Sequence, residues 1–324
     1  MNTKVTIIMY HYVREIQNSR YPDIKGLEIK QFKEQLIFLK KYYTFITMEQ
    51  LIDSIENSRS LPTKAVLLTF DDAYIDHFTQ VLPVLLENKV QGSFFPPAKA
   101  IKENAILDVN KIHFILASCL DKHLIINDIF NLLNKYRENF TLESNEHYFQ
   151  KLAKPNRFDS AEVIFIKRLL QVELADDLRK IIINELFSNF VGMTEAAFSG
   201  ELYMSIDQIK TMLRMGMHIG SHGYDHFWLN SLNKEKQINE IEKSIEFLSE
   251  IGADTSYRSI CYPYGAYNDL TVQILNEYNF KLGLTTNIAI ADIKNENRFT
   301  FSRLDTNDMP KSQYSKTNDW YLKG

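Results

Sequence analysis

The chain has 324 residues, of which 45% are hydrophobic, 12% aromatic and 24% charged, and its net charge is −4 at neutral pH. This composition suits a folded protein with a sizeable core, and the slight acidic balance offers none of the basic character that nucleic-acid binding needs. Two widely separated cysteines, Cys119 and Cys261, exclude a disulfide framework and fit a reducing compartment.

The first apolar stretch, Val5 to Tyr10, is too short for the core of a secretory signal. No run approaches the roughly 20 apolar residues of a spanning helix. The expectation is a cytoplasmic protein without a transmembrane segment. Thr6 to Tyr10 predicts a strand, and Ile29 to Tyr43 a helix through Phe32, Leu36, Leu39 and Tyr43. Ala65 to Phe70 predicts a buried strand that runs into Asp71-Asp72. Ile75 to Leu86 has helical spacing, with Pro83 arguing for a kink or an early break. Ser93 to Phe95 predicts a short strand stopped by Pro96-Pro97.

Between 101 and 200 this alternation gives way to helical spacing, as in Ile125, Ile129, Leu132, Leu133 and Tyr136. That stretch reads as a helical insertion: a packing subdomain on one reading, a substrate lid or docking surface on the other. Beyond it, Ser205 to Met215 predicts a helix with Ser205 as its cap, and Met217 to Gly220 a strand. Lys234 to Ile251 predicts an amphipathic helix closed by Gly252, and Asn268 to Tyr278 a further helix. Ser259 to Tyr262, Lys281 to Thr285 and Phe299 to Leu304 complete the strands. Strands alternating with helices predict an α/β fold on a parallel sheet, carried by 1–100 and 201–324. The polar clusters at His11, Asp71-Asp72, His222 and Tyr264 all fall at strand ends, where α/β barrels place their chemistry.

Adjacent carboxylates such as Asp71-Asp72 commonly mark a turn or a helix cap. Beside a divalent cation they divide the work: one is a ligand and the other takes a proton from the attacking water. His222 and His226, four apart in Ser221-His222-Gly223-Tyr224-Asp225-His226, can reach one ion. Two histidines and one carboxylate form a catalytic ligand set with open positions. His218 competes by position but reads as a hydrogen-bonded structural histidine. Pro263-Tyr264-Gly265 reads either as a plain strand-to-helix turn or as a groove wall with a backbone N–H for an oxyanion. His11, in Met9-Tyr10-His11-Tyr12-Val13, is either a satisfied core histidine or a general acid.

Together these four motifs resemble the polysaccharide deacetylase family, carbohydrate esterase family 4. The resemblance implies a distorted (β/α) barrel of fewer than eight strands, here with a large helical insertion. It implies Asp71 as base, Asp72, His222 and His226 as metal ligands, and the Tyr264 N–H as oxyanion donor. The opening MYHYV, and LGLTTN followed by FSRLD, resemble the poly-N-acetylglucosamine deacetylase branch, which makes His11 the acid. The C-terminal histidine of other branches is absent, since Asn287 follows Leu284-Thr285-Thr286. Ala73 stands where the family has glycine, and Cys261 where many members have the arginine that orients the base; Arg303 and Arg258 are the candidates to replace it.

The expected reaction is metal-dependent hydrolysis of N-acetyl groups on an amino-sugar saccharide. Zinc is the first choice of cation, and cobalt, nickel or iron also suit the ligands. An O-acetyl ester, a lipid- or nucleotide-linked sugar, or sugar binding without catalysis are the alternatives.

Overall fold

A computed structural model describes residues 2–156 and 159–324. The fold starts from two mostly apolar strands, β1 (Lys4–Tyr10) and β2 (Ala65–Asp71), which are parallel with Val5 opposite Ala65 and Tyr10 opposite Phe70. Every residue of β2 is buried, as expected of a parallel strand covered on both faces. β3 (Gly92–Phe95) adds to β2, and β4 (His218–Ile219) to β3, both parallel.

The ring continues through single bridges. Ser221 pairs with Ile260 of β5 (Ser259–Cys261), and β5 pairs in parallel with β6 (Leu282–Leu284). Leu284 then pairs with Phe301, whose strand runs on into β7 (Leu304–Asp305). β7 lies parallel to β1, with Ile8 opposite Leu304. Among the described residues the sheet therefore closes as a barrel of seven parallel strands, irregular where a bridge replaces a ladder.

Strand parity decides what lies inside the ring. Val5, Ile7, Leu67, Phe95, Cys261, Leu282, Leu284 and Phe301 form one buried apolar cluster. Two residues further along the same strands, the inward positions become Thr69 and Asp71 on β2, Met9 and then His11 on β1, and Arg303 after Phe301. The alternate positions carry an aromatic row on the other face: Tyr10 stacks on Phe70 at 4.9 Å and Phe70 on Phe94 at 4.7 Å.

Helices connect the strands. Ser205 caps Ile206–Arg214 through a reciprocal box with Gln208, and Gly252, at φ 80°, closes Lys234–Ile251. The helix expected over 75–86 is instead a π-turn at His77–Val81 followed by an α-helix at Leu82–Asn88. Pro83 brings no N–H, so the helix restarts with proline in its first turn.

The chain divides into two compact units, Met1–Glu15 with Gly26–Ala105 and Ser199–Gly324, and Ile16–Lys25 with Ile106–Phe198. The second unit thus takes in a ten-residue segment that a boundary drawn at residue 101 omits. Its helices Asp108–Ser118, Lys122–Tyr136 and Asp176–Val191 bury Ile112, Ile125, Ile129, Ile182 and Leu186. Tyr21, from the early segment, packs edge-on to Phe114 at 4.9 Å. Among the described residues no helix is long and apolar enough to cross a membrane.

Candidate metal and catalytic site

At the end of β2 the backbone turns sharply: Asp72 has φ 72° and Ala73 φ 53°, both in the left-handed region. The Asp72 N–H donates to the Phe95 carbonyl at 3.1 Å, which anchors the turn to β3. Its side chain is buried, and Oδ2 accepts from the Tyr74 hydroxyl at 2.7 Å. Oδ1 is buried without any hydrogen-bond donor. It instead faces His222 Nε2 at 3.4 Å and His226 Nε2 at 3.5 Å.

His222 Nδ1 lies 2.7 Å from the Cys261 carbonyl, which can only accept, so Nδ1 carries the proton. In its neutral form His222 then turns an Nε2 lone pair toward a carboxylate oxygen. Two lone pairs across that gap need positive charge between them. The ligand atoms of Asp72, His222 and His226 all lie within 4.8 Å of one another. A buried carboxylate oxygen without a donor, facing two imidazole nitrogens, fits a divalent cation.

The electrostatics agree. Burial would raise the Asp72 carboxyl, but His222, His226 and His11 outweigh it and hold it well below the usual range. Burial, aided by His222, pushes His226 down to about 3, which keeps it a neutral donor. Burial also works against protonation of His222, yet Asp72 and Asp71 raise it, and the field that does so draws in a cation equally.

The loop between the two histidines is fixed from behind. Glu240 Oε2 accepts from the Tyr224 and Asp225 N–H groups at 3.0 and 2.9 Å, and Gly223 takes φ 72°. The N–H groups of Ala98 and Lys99 donate to the Gly223 and Tyr224 carbonyls. His226 itself has φ 57°. His218 lies elsewhere, between Ser259 Oγ at 2.8 Å and Glu49 Oε1 at 3.3 Å. These are the residue types of a nucleophilic triad, but Ser259 is fully buried, and the arrangement serves the interior.

Asp71 points into the barrel, and Arg303 grips it in a fork, with Nη1 to Oδ1 at 3.0 Å and Nη2 to Oδ2 at 2.8 Å. The guanidinium is itself fixed by the Thr285 carbonyl at 2.8 Å, Thr69 Oγ1 at 3.2 Å and Cys261 Sγ at 3.2 Å. Burial would raise the Asp71 carboxyl, but Arg303 leads the opposing charges and holds it at about 2. Of the two candidate arginines, Arg258 donates to the Tyr278 carbonyl instead. The inward parity shared by Phe301 and Arg303 is the signal in the sequence that distinguishes them.

His11 Nε2 lies 4.0 Å from Asp71 Oδ2, and its side chain is 42% exposed, so it meets both that carboxylate and solvent. Buried His77 sits with Nε2 2.8 Å from the His11 carbonyl, and burial drives its own pKa down to about 4. Neutral His77 thus donates to the backbone that carries His11. Tyr264 follows β5 in a short turn at φ 58°. Its ring stacks on Trp228 at 4.4 Å and meets the edge of His226 at 4.7 Å. The structure therefore gathers Asp72, His222 and His226 around one point. Asp71 and His11 lie beside each other, and Tyr264 packs against His226. Tyr74, Glu240 and His77 join them without having stood out in the sequence.

A sequence model of the polysaccharide deacetylase family matches residues 58–143 and 186–283, more than half of the chain. The Bacillus subtilis protein YxkH, named for the same family, is 30% identical over 84 residues, which is 26% of this chain and 30% of YxkH. The chain thus matches under a third of that relative's length. The deacetylase PplD of Streptococcus pyogenes, solved with acetate, superposes with a TM-score of 0.60 at 18% identity, over 96% of this chain and 94% of that one. IcaB from Ammonifex degensii superposes with a TM-score of 0.54 at 18% identity, over 100% and 96%. At such identities the likeness concerns the fold.

Proposed function

The chain belongs to the polysaccharide deacetylase family, and on that premise we propose that it is a hydrolase of acetylated saccharide that removes N-acetyl groups with a divalent cation held by Asp72, His222 and His226. The observation that carries the reading is the buried, undonated Oδ1 of Asp72 facing two imidazole nitrogens. When bound, the cation supplies positive charge that polarises the acetyl carbonyl and acidifies water. Zinc suits this nitrogen and oxygen set first, and cobalt, nickel or iron also fit it.

The residues of the chain do the rest. Asp71, kept ionised and aimed by Arg303, takes the proton of the attacking water. The Tyr264 N–H donates to the carbonyl oxygen as it gains negative charge. His11, open to solvent beside Asp71, gives a proton to the sugar nitrogen as the C–N bond breaks. The products are acetate and a free amino sugar.

The test is acetate release from N-acetylglucosamine oligomers by metal-loaded protein, chelated protein and Asp71→Asn. Chelation should abolish release, and Asp71→Asn should lower it by about 100-fold or more. Release from O-acetylated sugars alone would move the reaction to an ester. No release from either class by metal-loaded protein would refute hydrolysis and favour sugar binding.

A further inference from the structure

We propose that Tyr74 is a positioning residue whose hydroxyl holds Asp72 in a one-oxygen pose, so that a cation at this site keeps a coordination position open for substrate. The inference rests on the reading that Asp72, His222 and His226 hold a cation.

A carboxylate can offer a metal one oxygen or both. If both bind, they fill a position that a catalytic site needs for water or substrate. In this chain the two oxygens are treated differently. Oδ2 accepts the Tyr74 hydroxyl at 2.7 Å, within the range of a charge-assisted bond, whereas Oδ1 faces both histidines and has no donor. Rotation of the carboxylate toward two-oxygen binding would break the tyrosine bond at a buried site.

Tyr74 has nowhere else to go. It is fully buried, its ring stacks on Tyr12 at 3.9 Å and lies parallel to Tyr203 at 6.2 Å, and His77 meets it at 5.6 Å. Tyr74 also pairs with Tyr203 through a backbone bridge, and the Met204 N–H donates to the Ala73 carbonyl beside it. Phenylalanine would supply the same ring to these aromatic contacts. The hydroxyl is what reaches the carboxylate.

Three measurements on Tyr74→Phe test the proposal. Zinc affinity, read by competition with a chromophoric chelator, should fall about 10- to 100-fold, as is typical when a partner of a metal ligand is lost. The visible bands of the cobalt-loaded variant should weaken as the second oxygen binds and the coordination number rises. The metal-free melting temperature reports packing alone. Wild-type affinity and spectrum in the variant would overturn the proposal, whatever the melting temperature. If the variant folds poorly, p-aminophenylalanine at position 74 restores a donor on the same ring. Recovery of zinc affinity there supports the proposal, and failure to recover it refutes it. Wild-type protein that binds neither zinc nor cobalt would refute the metal reading itself, a result distinct from a variant that matches wild type.

Discussion

The barrel and the helical insertion handle charge in opposite ways. At the barrel site Arg303 and Asp71 form an ion pair with side-chain exposures of 0% and 2%, fixed by a fork and three further polar contacts. In the insertion, pairs such as Lys151 with Glu173 sit at 52% and 21% exposure, and Lys135 with Glu185 at 57% and 35%. Lys111 is an exception there, buried against Asn184 and Glu195. Water screens the insertion's pairs, so they decorate helices that the apolar contacts already hold. The Arg303–Asp71 pair of the barrel site has lost that screening, and each partner depends on the other. Desolvated charge is costly to keep and is therefore informative about function.

Three substitutions probe that contrast, in falling order of effect. Arg303→Met leaves Asp71 buried without its counter-charge and should cost about 3–5 kcal/mol, measured by urea denaturation. A cost near zero would mean that water reaches Asp71 and that the barrel does not differ from the insertion. Ala73→Gly relieves a left-handed residue at the turn and should stabilise by about 1 kcal/mol or less, set against the loss of one buried methyl. Destabilisation would show that the methyl packing outweighs the backbone strain. Lys151→Ala should change stability by less than about 0.5 kcal/mol, and less still in high salt. A larger change would make the insertion's surface pairs structural.

What the sequence made readable followed the range of each constraint. The alternation of strands and helices is local, and so are Asp71-Asp72 and the four-residue spacing of His222 and His226. The grip on Asp71 is not local, because its partner lies 232 residues away and only closure of the ring brings Arg303 to it. Nor does the sequence announce that Asp72, Ala73, His226 and Tyr264 have positive φ, since only glycine advertises that conformation. That turn is what sends Tyr74 back toward the carboxylate two residues before it. Ile16–Lys25 gave no composition signal of its own, and its place in the second unit follows from Tyr21 packing among insertion aromatics.

The last strand of the ring carries the arginine that grips Asp71. Phe301 docks on Leu284 and Leu304 on Ile8, with Arg303 between them. A barrel lacking that strand would still hold Asp71, Asp72, His222 and His226, yet Asp71 would be without the guanidinium that fixes it and lowers its pKa. The segment that completes the cylinder thus also supplies the grip on Asp71.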